Sequence, residues 1–164
     1  MRNENKESLN KKDLSVKTLE LQNYFRSNIP VADFMNFKVE DLKPYSVKLS
    51  APLKPNYNHY MTAFGGSIAT LGILAGWAIL HFKTVEEKIR CVLVIQESNM
   101  KYLRPSNNDF EAVSDSLDEK QWDDFKSKLL SDGKAKISMM TNLYSEGKLI
   151  ATHKGTFVGI AKEK

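Results

Sequence analysis

Along residues 45–51 the chain alternates strictly. Tyr45, Val47, Leu49 and Ala51 are apolar, and Ser46, Lys48 and Ser50 between them are polar. That period of two predicts a strand with one buried and one wet face. Ahead of it, Leu14, Leu21, Tyr24 and Phe25 fall near one face of a helix over 14–28, and Pro30 can open a short second helix through Phe34 and Met35. Pro44 ends that region. Residues 52–62, PLKPNYNHYMT, hold two prolines and two asparagines and predict a loop. Gly65-Gly66-Ser67 then leads into a long apolar run ending at Phe82.

The second half of the chain reads as β. Residues 90–102 form a strand candidate whose middle, CVLVI, is apolar at every position, so both faces are expected to be covered. Phe110–Ser114 is a shorter strand. Ser116 and Glu119 have the spacing of a capping box, and Trp122, Phe125 and Leu129 continue at helical spacing until Gly133, which suits a helix end. Ala135, Ile137, Met139, Thr141 and Leu143 alternate with polar neighbours. Glu146-Gly147 marks a tight turn, and 148–161 returns as a strand. Helices interleaved with antiparallel strands define an α+β protein. The expected organisation is a flexible tail over 1–12, then one domain over 13–164 with N-terminal helices and an inserted helix near 117–131.

The segment Ala63–Phe82 carries no formal charge over 20 residues. As a helix it would be about 30 Å long, enough to cross a bilayer, and Gly72 and Gly76 have the spacing of packed membrane helices. Three features argue against a membrane span. The run includes Ser67, Thr70 and His81, and both flanks mix lysines with acids without a positive-inside bias. Strands also lie on both sides of it, and a spanning helix would separate them. A helix apolar all round is otherwise wrapped by its own domain, and a sheet curled around it provides that burial.

The remaining composition narrows the picture further. The chain has 164 residues, the length of one domain, and a charge of +4. Residues 1–12 contribute four basic and two acidic side chains, which is half of that excess. No basic stripe with interleaved aromatics follows, so nucleic acid is not an expected partner. One cysteine, Cys91, excludes an internal disulfide, and three scattered histidines give no metal motif. The N-terminus lacks the apolar stretch of a signal peptide. No cofactor is expected, and the expected location is the cytoplasm.

Five blocks, in this order, resemble the YiiD C-terminal-type thioesterases: Pro55-Asn56-Tyr57-Asn58, Thr62 through Ser67 (TAFGGS), Gly76-Trp77-Ala78, Ile95 through Asn99 (IQESN) and Tyr102-Leu103-Arg104-Pro105. The resemblance covers roughly 34–160. It implies a hotdog fold, an antiparallel sheet wrapped around a long central helix. It also implies a homodimer joined edge to edge, with acyl-thioester sites between subunits and a tetramer of two dimers as a further option. The implied substrates are acyl-CoA or acyl-carrier-protein thioesters, in fatty acid metabolism. The alternative is a hotdog module that binds acyl thioesters or an acyltransferase partner without catalysis.

A thioesterase needs donors for an oxyanion, a water and a group that moves protons. Gly65 and Gly66 open a helix whose first N–H groups are free donors, and small residues let a carbonyl approach them. Asn58 could hold water or substrate, or simply form an Asx turn. The turn reading weighs more for Asn56, and polar surface is the ordinary reading of His59. Phe64, Ser67, Thr70, Ser98 and Arg104 complete the candidate binding residues, Arg104 as a phosphate contact. Hotdog thioesterases commonly carry a carboxylate on the central helix about two turns after the glycine pair. Here that place is near Ile73, and no acid occurs from Ala63 to Thr84. Glu97 is the replacement expected, acting within the chain or across a dimer. No G-x-S-x-G motif marks Ser67 as a nucleophile.

Overall fold

The computed structural model describes residues 2–162, with side chains from Leu14 onward. A helix α1 (Arg2–Asn28) and a short α2 (Pro30–Phe34) precede two strands, β1 (Lys38–Lys43) and β2 (Ser46–Ala51). The long helix α3 (Gly65–Glu86) comes next, then β3 (Cys91–Tyr102), β4 (Phe110–Ser114), α4 (Glu119–Asp132), β5 (Lys134–Ser145) and β6 (Lys148–Ala161). The six strands form one antiparallel sheet in the order β1-β2-β4-β5-β6-β3. β3, twelve residues long, lies at one edge.

Helix α3 packs along the inner face of this sheet and is mostly buried, which accounts for its uncharged sequence. The two glycines with membrane-like spacing bring it close to β6. A Cβ on Gly72 would fall 3.0 Å from His153 Cβ, and one on Gly76 would fall 2.9 Å from the Phe157 ring. Phe157 is fully buried and has nowhere to retreat. Leu71, Ala75, Ala78 and Ile79 of the same helix are fully buried. Tyr24 and Phe25 of α1 pack against Trp77 of α3, whose indole N–H donates to the Leu93 carbonyl of β3 at 3.0 Å.

Several boundaries differ from the sequence expectations. α1 begins at Arg2 instead of Leu14, because neither glycine nor proline interrupts 2–28. The side chains of the expected tail over 1–12 lie outside the described residues. Strand β1 had no sequence signal, since a bulge between Val39 and Asp41 puts its buried Val39 and Leu42 three apart. The cap of α4 is Asp118, not Ser116. The Gln121 N–H donates to Asp118 Oδ1 at 2.7 Å, and Gln121 Oε1 accepts from the Asp118 N–H at 3.0 Å. Ser116 is used two residues earlier, its Oγ accepting from Met140 N at 2.8 Å on β5. Both faces of β3 were expected to be covered. In one chain its outer face is open, with Val92 and Val94 exposed by 41% and 43%.

The far end of α3 is tied to α4 by ions. Lys83, buried, sits 3.3 Å from Glu87 and above the rings of Tyr45 and Trp122. Glu87 also accepts from Trp122 Nε1 at 2.6 Å and from Lys126 at 3.0 Å. Burial pushes the Glu87 carboxyl up, and the bonds from Lys126, Trp122 and Lys83 outweigh it, leaving the group below its ordinary value. A lowered carboxyl stabilises the fold above its unfolded pKa and loses that contribution as pH falls through the folded one. Glu87→Gln should therefore cost about 1 kcal/mol at neutral pH. Thermal melts of the two proteins should converge as pH is taken below 4.5; a gap that persists in acid would show that the charge is not what matters.

Candidate active site

The loop between β2 and α3 is held by its asparagines. Asn56 is buried, and its amide donates to the carbonyls of Met35 at 2.9 Å and Pro52 at 2.8 Å. Its own carbonyl accepts from Phe64 N at 2.8 Å. Asn56 thus joins three segments, its side chain tying the end of α2 to the end of β2 and its backbone carbonyl holding the start of α3. Asn58 Oδ1 accepts from Tyr60 N at 2.9 Å and Thr62 N at 3.3 Å, while its amide donates to Thr62 Oγ1 at 3.0 Å. The Asn58 bonds are those of turn formation, whereas the Asn56 side chain ties the loop to a distant segment. The loop is pinned to 105–107 by Ala63 N donating to Ser106 O at 2.7 Å. A cavity of about 460 Å³ opens there, lined by Leu53, Tyr60, Met61, Thr62, Pro105, Ser106 and Asn107.

α3 begins without a side-chain cap. Phe64 occupies the cap position in extended backbone, makes no capping hydrogen bond, and no acid lies in the first turn. The first N–H groups of α3 have no intrahelical acceptors, and nothing in that turn offsets the positive end of the helix dipole. The two glycines are not equivalent. A Cβ on Gly66 would fall 2.3 Å from the Phe64 ring, which is exposed and folds back over it. At Gly65 the nearest atoms belong to the Tyr102 ring at 3.5 Å, an ordinary contact. The Tyr102 hydroxyl donates to the Gly65 carbonyl at 2.9 Å, joining β3 to the helix start.

The other expected residues are spread more widely. Ser67 is half-buried in the first turn. The Thr70 hydroxyl donates to the Gly66 carbonyl at 2.8 Å, so its proton is committed to its own helix. His59 is exposed, its ring tilted against that of Tyr60. Arg104 is exposed, and its backbone N–H donates to Ile150 O. Glu97 is not brought to the helix start within the chain. A bulge between Ile95 and Glu97 pairs it with Thr156, whose hydroxyl lies 3.4 Å from Glu97 Oε2. Thr156 alternates with Phe157, which faces α3, so Glu97 points to the opposite face of the sheet.

The same bulge turns Ser98 inward. Its Oγ lies 3.0 Å from Nε2 of His153, a fully buried residue on β6. Sequence reasoning missed this histidine as a site residue. The signal available was its position on the inward register of 148–161. His153 Nδ1 has no hydrogen-bond partner, nor has Thr141 Oγ1, directly opposite it on β5. A buried polar atom left unpaired costs about 1–3 kcal/mol, so this pair of strands carries polar groups where apolar ones would pack more cheaply. Burial pushes the His153 pKa down, and the nearby Gly72 carbonyl, without a completed hydrogen bond, acts weakly the other way.

A second cavity, about 440 Å³, lies at the far end of α3 between Leu21, Tyr24, His81, Phe82 and Val85, with Lys17, Glu20 and Glu86 at its edge. His81 stacks between Tyr24 and Trp77 there, and burial lowers its pKa. Among the described residues no cluster of His, Cys, Asp or Glu could hold a metal ion.

Comparison with known proteins fits this architecture. Residues 18–161 match the family described as "Putative thioesterase (yiiD_Cterm)". A protein of unknown function from Chlorobaculum tepidum is similar at 30% identity, with 88% of this chain and 94% of that one covered and a TM-score of 0.84. A structure titled as a putative thioesterase from Shewanella oneidensis is 28% identical over 90% of this chain and 99% of its own, with a TM-score of 0.79. A variant of the phenylacetic acid degradation protein PaaI from Thermus thermophilus, at 22% identity over 79% and 97% and a TM-score of 0.59, shows the same fold alone. With its sheet wrapped on one central helix and the family match spanning nearly all of it, the chain is a hotdog-fold protein that belongs to the yiiD_Cterm thioesterase family.

Proposed function

We propose that this protein hydrolyses acyl thioesters, carried by coenzyme A or an acyl-carrier protein, at the start of α3. The uncapped helix start carries the proposal. Its free N–H groups would donate to the thioester carbonyl oxygen and stabilise the charge that develops on it. Approach to that backbone runs past Gly65, where the nearest ring, Tyr102, stands at ordinary contact distance, while the exposed Phe64 ring lies over Gly66; Asn58 contributes by fixing the loop beside them. The cavity of about 460 Å³ next to the loop offers room for part of the carrier. Family membership supports the thioesterase reading. The proposed setting is the cytoplasm, with no membrane span, because the apolar surface of α3 is already satisfied by the sheet.

The proposed unit is a homodimer. Strand β3 is a long edge, and a bare edge with neighbouring exposed valines is a surface that chains pair on or protect. Pairing along β3 would bring the two helix starts into clefts built by both copies, and two such dimers could assemble further. The position of Glu97 favours a second reading, an acyl-thioester-binding module without hydrolysis, since the expected carboxylate lies across the sheet from α3.

A thiol-release screen over acyl-CoA lengths separates the two readings. Release above background is expected, with kcat/KM reduced about tenfold or more in Gly66→Val, whose added side chain displaces the Phe64 ring across the helix start. Glu97→Gln is expected to keep its activity. Tight acyl-CoA binding with no thiol release would establish the binding module instead. Sedimentation should give twice the 18.7 kDa mass of the chain, or four times it; a monomer at micromolar concentration would remove the shared cleft.

A further inference from the structure

The 52–62 loop holds one residue in a conformation that its side chain disfavours. Met61 has a left-handed backbone, with φ at 60°. Asn58 keeps it there, its backbone carbonyl accepting from Met61 N at 2.9 Å and its Oδ1 accepting from the N–H groups of Tyr60 and Thr62. Tyr60 and Met61, exposed by 76% and 59%, thereby form one wall of the cavity of about 460 Å³. Pro105 and Asn107 form the other, and the bond from Ala63 N to Ser106 O at 2.7 Å holds the two walls together. The volume is that of a small-ligand site.

Position and chemistry narrow the occupant. Gly65 lies three residues after Thr62 of the cavity lining, a span of at most about 11 Å. A thioester held at the helix start carries, on its sulfur side, an arm common to coenzyme A and acyl-carrier proteins: cysteamine, β-alanine and pantoate joined by two amides. At roughly 1.2 Å per bond, the second amide lies about 9 Å from the sulfur and the pantoate methyls slightly beyond, so the arm reaches the cavity. The lining is both apolar and polar. Leu53, Met61 and Pro105 offer surface to the methyls. The Thr62 and Ser106 hydroxyls are committed to Asn58 and Ser145. Asn107 Oδ1 accepts from Asn108 at 3.2 Å, and its own N–H groups have no acceptor among the described residues. An amide carbonyl uses such donors, and an acyl tail does not. Asp109, the acid nearby, accepts from Leu53 N, while Lys54 and Arg104, both exposed, follow and precede lining residues and favour the phosphate that ends the arm.

We infer that this cavity is the subsite for the pantetheine arm, with Asn107 donating to the second amide carbonyl and Met61 and Pro105 packing on the pantoate methyls. The inference deepens the proposed function and rests on the placing of the thioester at the start of α3.

One acyl group presented on two thiols tests it on the full-length protein. The pantetheine thioester carries the whole arm, and the N-acetylcysteamine thioester only its first amide. kcat/KM should be about tenfold or more higher for pantetheine, mainly through KM. Asn107→Ala removes the donor and Asn107→Trp fills the cavity from an exposed position. Both should bring that ratio towards one with the circular dichroism spectrum unchanged. Equal values for the two thioesters, or an undiminished ratio in both variants, would overturn the subsite while leaving hydrolysis intact. Acyl-CoA and acyl-carrier-protein thioesters should both keep the advantage over N-acetylcysteamine, and the larger kcat/KM of the two identifies the source of the arm. Calorimetry with free pantetheine reads the subsite without turnover. Saturable binding that Asn107→Ala weakens, in a protein that releases no thiol from any thioester, would uphold the subsite and overturn hydrolysis instead.

Discussion

The close seating of α3 on β6 is the contact on which the rest of the molecule is arranged. Gly72 over His153 and Gly76 over Phe157 remove two side chains from the helix, and the sheet comes up to meet the backbone. Five of the six strands reach the helix, so this one spacing sets how the sheet curves around it. An apolar helix is in itself indifferent between lipid and protein. Here the shape of the facing strand decides the matter, because Phe157 and His153 fill the two gaps that the glycines leave.

That seating also explains why chemistry collects at one end. With its flanks covered, α3 offers the outside its N-terminal turn, and Phe64, Tyr102 and the 52–62 loop frame that turn without capping it. Beneath Gly72, a residue with no side chain, the buried polar groups come from the strands, Thr141 from β5 and His153 from β6, with exposed Ser98 bonded to His153. The opposite end of α3 is closed by Lys83, Glu87, Trp122 and Lys126, a network that joins the helix to α4. One end is thus ionically tied and the other left open to approach.

Much of the architecture was legible in the sequence because it rests on local periodicity. β2 and β5 follow from spacing, β6 from the turn before it and the buried helix from an uncharged run set between strands, and the five quoted blocks pointed to the family. What failed was set by single residues out of phase. A bulge hid β1, and two overlapping cap patterns, Ser116 with Glu119 and Asp118 with Gln121, differ only in which one the path across β5 leaves free. At the site, Gly65 and Gly66 were legible as a helix start. The asymmetry between them was not, since it depends on where the Phe64 ring folds. Glu97 and Ser98 were both candidates, and as neighbours on a strand they take opposite faces; a one-residue bulge before them decides which of the two faces α3. The pairing of Ser98 with His153 crosses 55 residues and needs the register of β3 against β6, which no local pattern contains.

The contact of Gly76 with Phe157 has a consequence for how this sequence can drift. The helix and the strand share one fixed volume there, and neither side can change alone. An added methyl at 76 requires a smaller ring, or none, at 157, and a smaller residue at 157 leaves a void that only the helix can fill. The two positions should therefore exchange size as a pair, with the sum of their volumes as the inherited quantity rather than either residue.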